Sequence, residues 1–405
     1  MPFRTALSGL NAASSDLRVT GNNVANAATV GFKQSRAEFA DVFALSYSGI
    51  SQNAVGAGVR VSAVTQQFTQ GNVDFTGNNL DLALNGQGFF VLSDAGSQVY
   101  SRAGSFQVDR DGFVVNSSGQ RLQSYPPSNP EGTAFSTGML GDLRLDASEA
   151  PPQATSLVGA TLNLSSAAED LSALPFDSTD PNTFTYTTSL TTFDSLGQAH
   201  TGTMYFRNVG ALQWEAHFAI DGNVVGGAQP LTFNSDGTLS SPLTAVNFGA
   251  YDPGTGADLM DVAIDFSEAT QFGSTNSVSA LRQDGFSTGR LSSIDIDPNG
   301  VVLARFTNGQ SRALGQVALA NFPNPQGLQQ LGNNAWADTF GAGEVVLGAA
   351  GNGNFGAIQS GGLEASNVDL SAQLVNLITA QRNFQANAQV ISTADTITQT
   401  IINLR

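Results

Sequence analysis

The chain has 405 residues, with 33 acidic against 16 basic side chains and a formal charge of −17, a sign that disfavours nucleic acid as a partner. It contains no cysteine, which removes disulfides, thiolate metal sites and cysteine nucleophiles together, and no segment approaches the roughly 18 apolar residues of a membrane span, so membrane insertion is not expected. The length allows two or three domains.

The chain opens on Met1-Pro2-Phe3-Arg4-Thr5-Ala6-Leu7, which has no apolar core or cleavage site of a secretory signal. If the protein leaves the cell, another exporter is expected. Phe3, Leu7, Leu10, Ser14, Leu17, Gly21, Val24 and Ala28 recur at alternating intervals of four and three, the period of a coiled-coil seam. This predicts an N-terminal helix about 40 Å long within residues 1–36. Residues 37–70, with Gly49, Gly56 and Gly58 and few charges, read as a connecting segment, slightly favoured as a plain loop.

From about Val61 to Phe355 the period changes to two, and turn dipeptides punctuate it. Leu212, Trp214, Ala216, Phe218 and Ile220 alternate up to Asp221-Gly222, a hairpin signal. Similar units surround Asp111-Gly112, Asp236-Gly237, Asn299-Gly300 and Asn308-Gly309, so this region is predicted to be mainly antiparallel sheet. Linker-like compositions at Asp146–Gln153 and Gln271–Ser279 suggest a domain at 146–284 inserted into another whose halves are 71–145 and 285–358. Between Asp146 and Asp284 there are about sixteen Asp or Glu residues against only Arg207 and Arg282, whereas the termini are close to neutral. A repelling, hydrated middle with uncharged, seam-bearing ends suits a polymer whose ends pack at its axis.

After Gly362 the chain has neither Gly nor Pro, and Leu370, Leu374, Leu377, Gln381, Phe384, Ala388, Ile391, Asp395, Thr398 and Ile402 continue the four-three alternation. One uninterrupted helix from Leu363, roughly 60 Å long, is expected within 359–405, and a second apolar row (Val390, Ala394, Ile397, Ile401) widens its face. Such a helix takes most of its stability from packing. An antiparallel pair within one chain and self-assembly both remain open at this point. The expected fold is multidomain α+β: long terminal helices forming a coiled-coil-like inner core, and mainly antiparallel β middle and outer domains.

Enzyme signals are weak. Gly351-Asn352-Gly353-Asn354-Phe355-Gly356 has the spacing of a dinucleotide fingerprint, but no helix opens after it and no βαβ repeat surrounds it, so it reads as a hinge before the C-terminal helix. His200 and His217 lack the spacing of a metal site. No catalytic residue, cofactor or metal is expected.

The residues themselves carry a resemblance. Thr20-Gly21-Asn22-Asn23-Val24-Ala25-Asn26-Ala27-Ala28-Thr29-Val30-Gly31-Phe32-Lys33 resembles the N-terminal signature of the bacterial flagellar rod and hook proteins. Ser366-Asn367-Val368-Asp369-Leu370 and the run Leu374 to Asn387, including Gln381, Arg382 and Asn383, are similar to the C-terminal signature. Asn85-Gly86-Gln87-Gly88-Phe89-Phe90 and Arg102-Ala103-Gly104-Ser105-Phe106 also resemble the family. Only the acidic insert lacks a recognisable signature, and its size makes the chain most similar to the hook members, the distal rod being the alternative and a secreted β-rich enzyme or adhesin a distant third. The resemblance implies a helical tube of many copies, export in unfolded form through the flagellar type III apparatus, and rod, hook cap and hook–filament junction proteins as partners.

Overall fold

The computed structural model describes residues 2–42, 56–129, 132–145 and 149–403. The expected boundary at Asp146 and the glycine at 49 lie outside them. The chain divides into two compact units, one formed by Met1–Asp146, Ser293–Arg305 and Ser311–Arg405 and the other by Ala147–Ser292 and Phe306–Gln310.

The first unit begins with helix α1 (Pro2–Ala25) and ends with helix α2 (Leu370–Asn403). Both are shorter than their periodicity suggests. α1 stops well before residue 36, because the Asn26 side-chain amide turns back to donate to the Asn22 carbonyl at 2.9 Å and Gly31 adopts φ +67, which no helix contains. α2 does not start at Leu363: Gly362–Glu364 is a strand paired with Val73–Phe75, and Asp369 caps the helix by accepting from the Ser371 and Ala372 amides at 2.8 and 3.2 Å. The connecting segment is not a plain loop either. Strands β1 (Ser35–Asp41) and β2 (Val59–Gln66) pair antiparallel, and the Ser8 hydroxyl of α1 accepts from the Val59 amide at 3.2 Å.

The body of this unit is a large sheet. Its hub, Ser311–Asn321, pairs antiparallel with Val346–Ala349, Arg121–Tyr125 and Phe89–Asp94. The runs Phe89-Phe90-Val91-Leu92 and Val317-Ala318-Leu319-Ala320 are wholly buried because the sheet is covered on both faces. Phe90, Leu92, Val317 and Leu319 enter one apolar cluster, and Phe89, Val91, Ala318 and Ala320 enter the other with Tyr100, Phe322 and Trp336. The second cluster anchors the end of β2: Phe68 packs edge-on against Phe89 and Trp336, and the indole donates to Gln66 Oε1 at 2.6 Å. Gly351–Gly356 is a turn between Val346–Ala349 and Ala357–Ser360, with positive φ at Gly351 and Gly353. Two strands separate it from α2, so it is not the hinge of that helix.

The second unit is a sandwich of two five-stranded sheets over a single apolar core that includes Leu162, Leu164, Phe206, Trp214, Phe218, Ile264 and Phe266. One sheet is a meander, Tyr186–Phe193, Ala199–Gly210, Gln213–Ile220, Asn223–Phe233 and Leu239–Ser241. Leu212 belongs to the turn before the third strand, at φ +60 and exposed, although it continues the apolar alternation. The other sheet departs from the antiparallel expectation: Leu157–Ser165 runs parallel to Met260–Asp265 and Thr270–Phe272 and antiparallel to Ser277–Gln283. The Ser- and Thr-rich stretch 271–279 therefore contributes strand ends, not a linker. The unit extends past Asp284 because its two ends form a ribbon, with Ala150 bridging Gly289 and Gln153 bridging Phe286.

His200 lies in this unit between two carboxylates, with Nδ1 2.6 Å from Asp221 Oδ2 and Nε2 3.4 Å from Asp194 Oδ2. Thr255 donates to the same Asp194 oxygen at 3.1 Å, which ties a third loop to the clasp through that carboxylate. Burial alone would lower the His200 pKa, but the hydrogen bonds and charges of Asp221 and Asp194 outweigh it and raise it above the ordinary 6.5. The bond from His200 holds Asp221 below its ordinary 3.8. A raised histidine contributes stability that is complete below its unfolded pKa and lost as pH rises through the folded value; a depressed aspartate contributes above its unfolded pKa and loses this as pH falls. The contribution of this clasp is therefore complete between about pH 4 and 6.5 and is lost as pH rises above that range and the imidazole gives up its proton. His200→Gln should flatten the alkaline loss in thermal melts, and an unchanged pH profile would refute this role.

Candidate assembly surface

The two terminal helices pack antiparallel within the chain. Gly9 of α1 lies against the Asn387 side chain of α2, and further along the Asn23 amide donates to Gln373 Oε1 at 3.3 Å. The buried or half-buried positions of α1 include Ala6, Gly9, Ala13, Asp16, Thr20 and Asn23, a three-four alternation one residue out of step with Phe3, Leu7, Leu10, Leu17 and Val24. On α2 the corresponding line is Gln373, Leu377, Ala380, Phe384, Asn387, Ile391 and Ala394. Leu377, Phe384 and Ile391 thus turn inward, while Leu370, Leu374, Gln381 and Ile402 remain exposed. On α1 the seam side carries small or polar residues, which let the helices approach closely. Phe3 and Leu7 of α1 and Leu370, Leu374, Val390 and Ile397 of α2 are left on other faces.

Those faces are extensive. Leu374, Val375 and Ile378 are 51, 63 and 49 % exposed, and Val390, Ile397 and Ile401 are 46, 55 and 63 % exposed. Phe3 and Leu7 of α1 are exposed as well. A groove of about 730 Å3 between Phe3 and Arg4 on one helix and Val390, Thr393, Ala394 and Ile397 on the other is open to solvent. Apolar rows of this extent on a water-exposed surface mark an interaction site.

The signature residues divide between this surface and a buried polar junction. Asn22, Gln381, Arg382 and Asn383 are exposed, whereas Asn23, Phe32 and Lys33 are buried. The Asn23 side chain bonds both backbone directions of Ser35, donating to its carbonyl at 2.7 Å and accepting from its amide at 2.9 Å. Asn26 accepts from the Thr29 hydroxyl at 3.2 Å. Gly31 is required by contact as well as by φ, since a Cβ there would meet the backbone of Ala103. Asn367 accepts from the Gln34 amide at 2.8 Å and donates to the carbonyls of Gln67 and Thr69 at 2.8 and 3.1 Å.

At the centre of the junction Lys33, the single lysine of the chain, donates to Glu364 Oε1 at 2.6 Å and to the Thr69 carbonyl at 2.7 Å. Arg102 faces the other carboxylate oxygen at 3.4 Å and donates to the Gly86 carbonyl at 2.9 Å, and the Gly71 amide donates to Oε1 at 2.9 Å. Lys33 and Glu364 are fully buried and Arg102 nearly so. Burial pulls the Lys33 ammonium below the usual lysine range, Glu364 offsets part of this, and Arg102 adds to it. Sequence reading placed Lys33 in a signature but missed Glu364 and the convergence on it. The available signal was a carboxylate in an otherwise apolar and polar-neutral stretch, paired with the only lysine. Glu364→Gln leaves two buried cations facing a neutral amide and is expected to cost about 3–5 kcal/mol, whereas Lys33→Met leaves Arg102 opposite Glu364 and should cost less. Urea unfolding of both variants tests this, and a Glu364→Gln loss below about 1 kcal/mol would contradict it.

Comparison with known proteins bears on the whole chain. Residues 3–33 match the profile of the flagella basal body rod protein, 83–158 that of the flagellar hook protein FlgE/F/G D1 domain, 163–286 that of the flagellar basal body protein FlaE D2 domain, and 359–404 that of the flagellar basal body rod FlgEFG protein C-terminal region. The flagellar hook protein FlgE of Escherichia coli is 40 % identical over 412 residues, covering 100 % of both chains, and that of Salmonella typhimurium is 39 % identical over 414 residues with the same coverage. The FlgE of Treponema pallidum is 31 % identical over 99 % of this chain and 98 % of its own. The crystal structure of the Helicobacter pylori flagellar hook protein FlgE2 shares the fold, with a TM-score of 0.55 and 15 % identity over 72 % of this chain and 100 % of that one. The chain belongs to the flagellar hook protein family.

Proposed function

We propose that the chain is the structural subunit of the bacterial flagellar hook, polymerising into a curved, bendable tube that transmits torque from rod to filament. The observation that carries this reading is the apolar surface left on the α1–α2 pair: rows that stay exposed among the described residues, beside a seam whose α1 side is built from small or polar residues. In the tube these rows pack against other copies and form the inner, coiled-coil-like core. The β-body forms the middle shell, and the acidic second unit faces water, where its charge is hydrated. Exposed Gln381, Arg382 and Asn383 are then contact residues between copies, and the buried signature residues act within each subunit.

A rotating curved tube requires every row of subunits to shorten and lengthen once per turn. The inner seam must hold while polar outer contacts exchange among shallow alternatives. Export in unfolded form through the type III apparatus, and contacts with rod, hook cap and hook–filament junction proteins, complete the reading. Full-length similarity to hook proteins, insert included, favours the hook over the distal rod. Electron microscopy of the purified, polymerised protein tests this directly, since curved tubes support the hook and straight, stiff ones the rod.

The two faces of α2 make separable predictions. Val390→Asp with Ile397→Asp places carboxylates on exposed positions, so tubes should be lost in sedimentation while the unpolymerised protein melts like the parent. Leu377→Asp instead enters the intrachain seam. It should reduce the helical circular dichroism of the monomer as well as assembly. If the exposed-face variant formed tubes normally, the proposed inner contact would be wrong.

A further inference from the structure

Among the described residues of the first unit, one aromatic stands fully out in solvent. Phe340 is 105 % exposed, yet the turn that displays it is held firmly. It opens the short 3-10 turn Phe340–Ala342, whose preceding Thr339 accepts from the Gly341 amide at 3.2 Å and donates to the Gly327 carbonyl at 2.5 Å. Asn324 donates through its side chain to the Gly341 carbonyl at 2.9 Å, and its backbone amide donates to the Ala342 carbonyl at 3.1 Å. Ala342 is fully buried in the cluster of Phe322 and Trp336. The turn thus holds the backbone that presents the ring as a knob, so an aromatic anchor there has only its own side-chain torsions left to fix on binding.

Nearby sequence supplies a groove. Val346 and Leu347, 53 and 38 % exposed, line an opening of about 550 Å3 together with Phe322 and Phe355, with Asn352 and Asn354 also among its lining. The groove lining carries no charge, while Asp338 and Glu344 flank the knob in the sequence and are exposed. Carboxylates beside the knob would meet amide donors and avoid repulsion in a chain of net charge −17.

We propose that Phe340 of one copy inserts into the Val346–Leu347 groove of a neighbouring copy, as a head-to-tail contact within the polymer. The inference rests on the reading of the chain as a polymerising subunit. Ring and groove are separate features of each copy, so one copy's ring can fill the next copy's groove while its own groove receives a third copy's ring, an arrangement that repeats openly. Size also selects this occupant. A buried Phe covers roughly 150–250 Å2. With two half-exposed aliphatic residues the patch stays well below the roughly 800 Å2 per partner of a stable pair. The contact is too small to dimerise the free chain and belongs among others in a tube.

Because the chain has no cysteine, engineered thiols report this contact without background. Phe340→Cys and Leu347→Cys are prepared separately, copolymerised with each other and oxidised. Covalent dimers are expected from the mixed tubes and from neither variant polymerised alone. Absence of dimers from mixed tubes, or dimers from Phe340→Cys alone, overturns the head-to-tail contact. In parallel, Phe340→Ser should raise the critical concentration for polymerisation about tenfold, from the transfer energy of one Phe, with no change in the melting of the unpolymerised protein. A critical concentration equal to the parent's also overturns the inference and leaves the hook reading intact. Failure of the parent chain to polymerise would overturn both.

Discussion

Everything in the first unit depends on the buried ion cluster of Lys33, Glu364 and Arg102. These residues are 331 and 262 positions apart in sequence from their common carboxylate, so the cluster ties the exit of α1, the approach to α2 and the β-body into one point. A buried charge group is poor evidence of net stability, because desolvation opposes the Coulomb attraction. Its value lies in discrimination. Any arrangement that leaves one member without its partners strands a charge in the interior, so alternative dockings of the termini are penalised far more than the native one is favoured. The surrounding bonds of Asn23 and Asn367 to backbone groups extend the same principle with neutral side chains.

That fixed junction explains why the helices can keep so much apolar surface exposed. Their relative register is set at the base by Asn23 and Gln373, and along the pair by the close approach at Gly9 and Asn387, with no large side chain needed in the α1 line. Large aliphatic residues are thereby freed for contacts outside the subunit. A subunit that buried them internally would be more stable alone and would have nothing left to polymerise with. On the proposed reading, the chain trades monomer stability for assembly at these positions.

The second unit follows different rules. Its core is a sandwich filled by Trp214, Phe206, Phe218 and Phe266, and its acidic residues are placed mainly in turns. Many of these carboxylates accept from backbone amides two residues on, as Asp177, Asp236 and Asp265 do, so the charge excess also fixes local turns. The clasp at His200 joins one such aspartate, Asp194, which accepts from the Leu196 amide, to Asp221, which accepts from the Thr201 amide of the neighbouring strand.

Period and punctuation in the sequence determined the two helices, the β character of the middle, most hairpins and the concentration of acid in the insert, because these are local consequences of side-chain spacing and turn chemistry. The signature residues from Asn22 to Lys33 and from Asn367 to Asn383 determined the family. Tertiary structure decided what spacing cannot. On α1 two interleaved lines, Phe3-Leu7-Leu10 and Ala6-Gly9-Ala13, both satisfy a coiled-coil period, and hydrophobicity points to the first. The intrachain seam uses the second, since close approach of backbones favours small side chains and the body already fixes the angle. The parallel pairings of Leu157–Ser165 and the convergence of Lys33, Arg102 and Glu364 join residues about a hundred or more positions apart. Contacts at such separation leave no periodic trace, because each partner's own neighbours are indifferent to it.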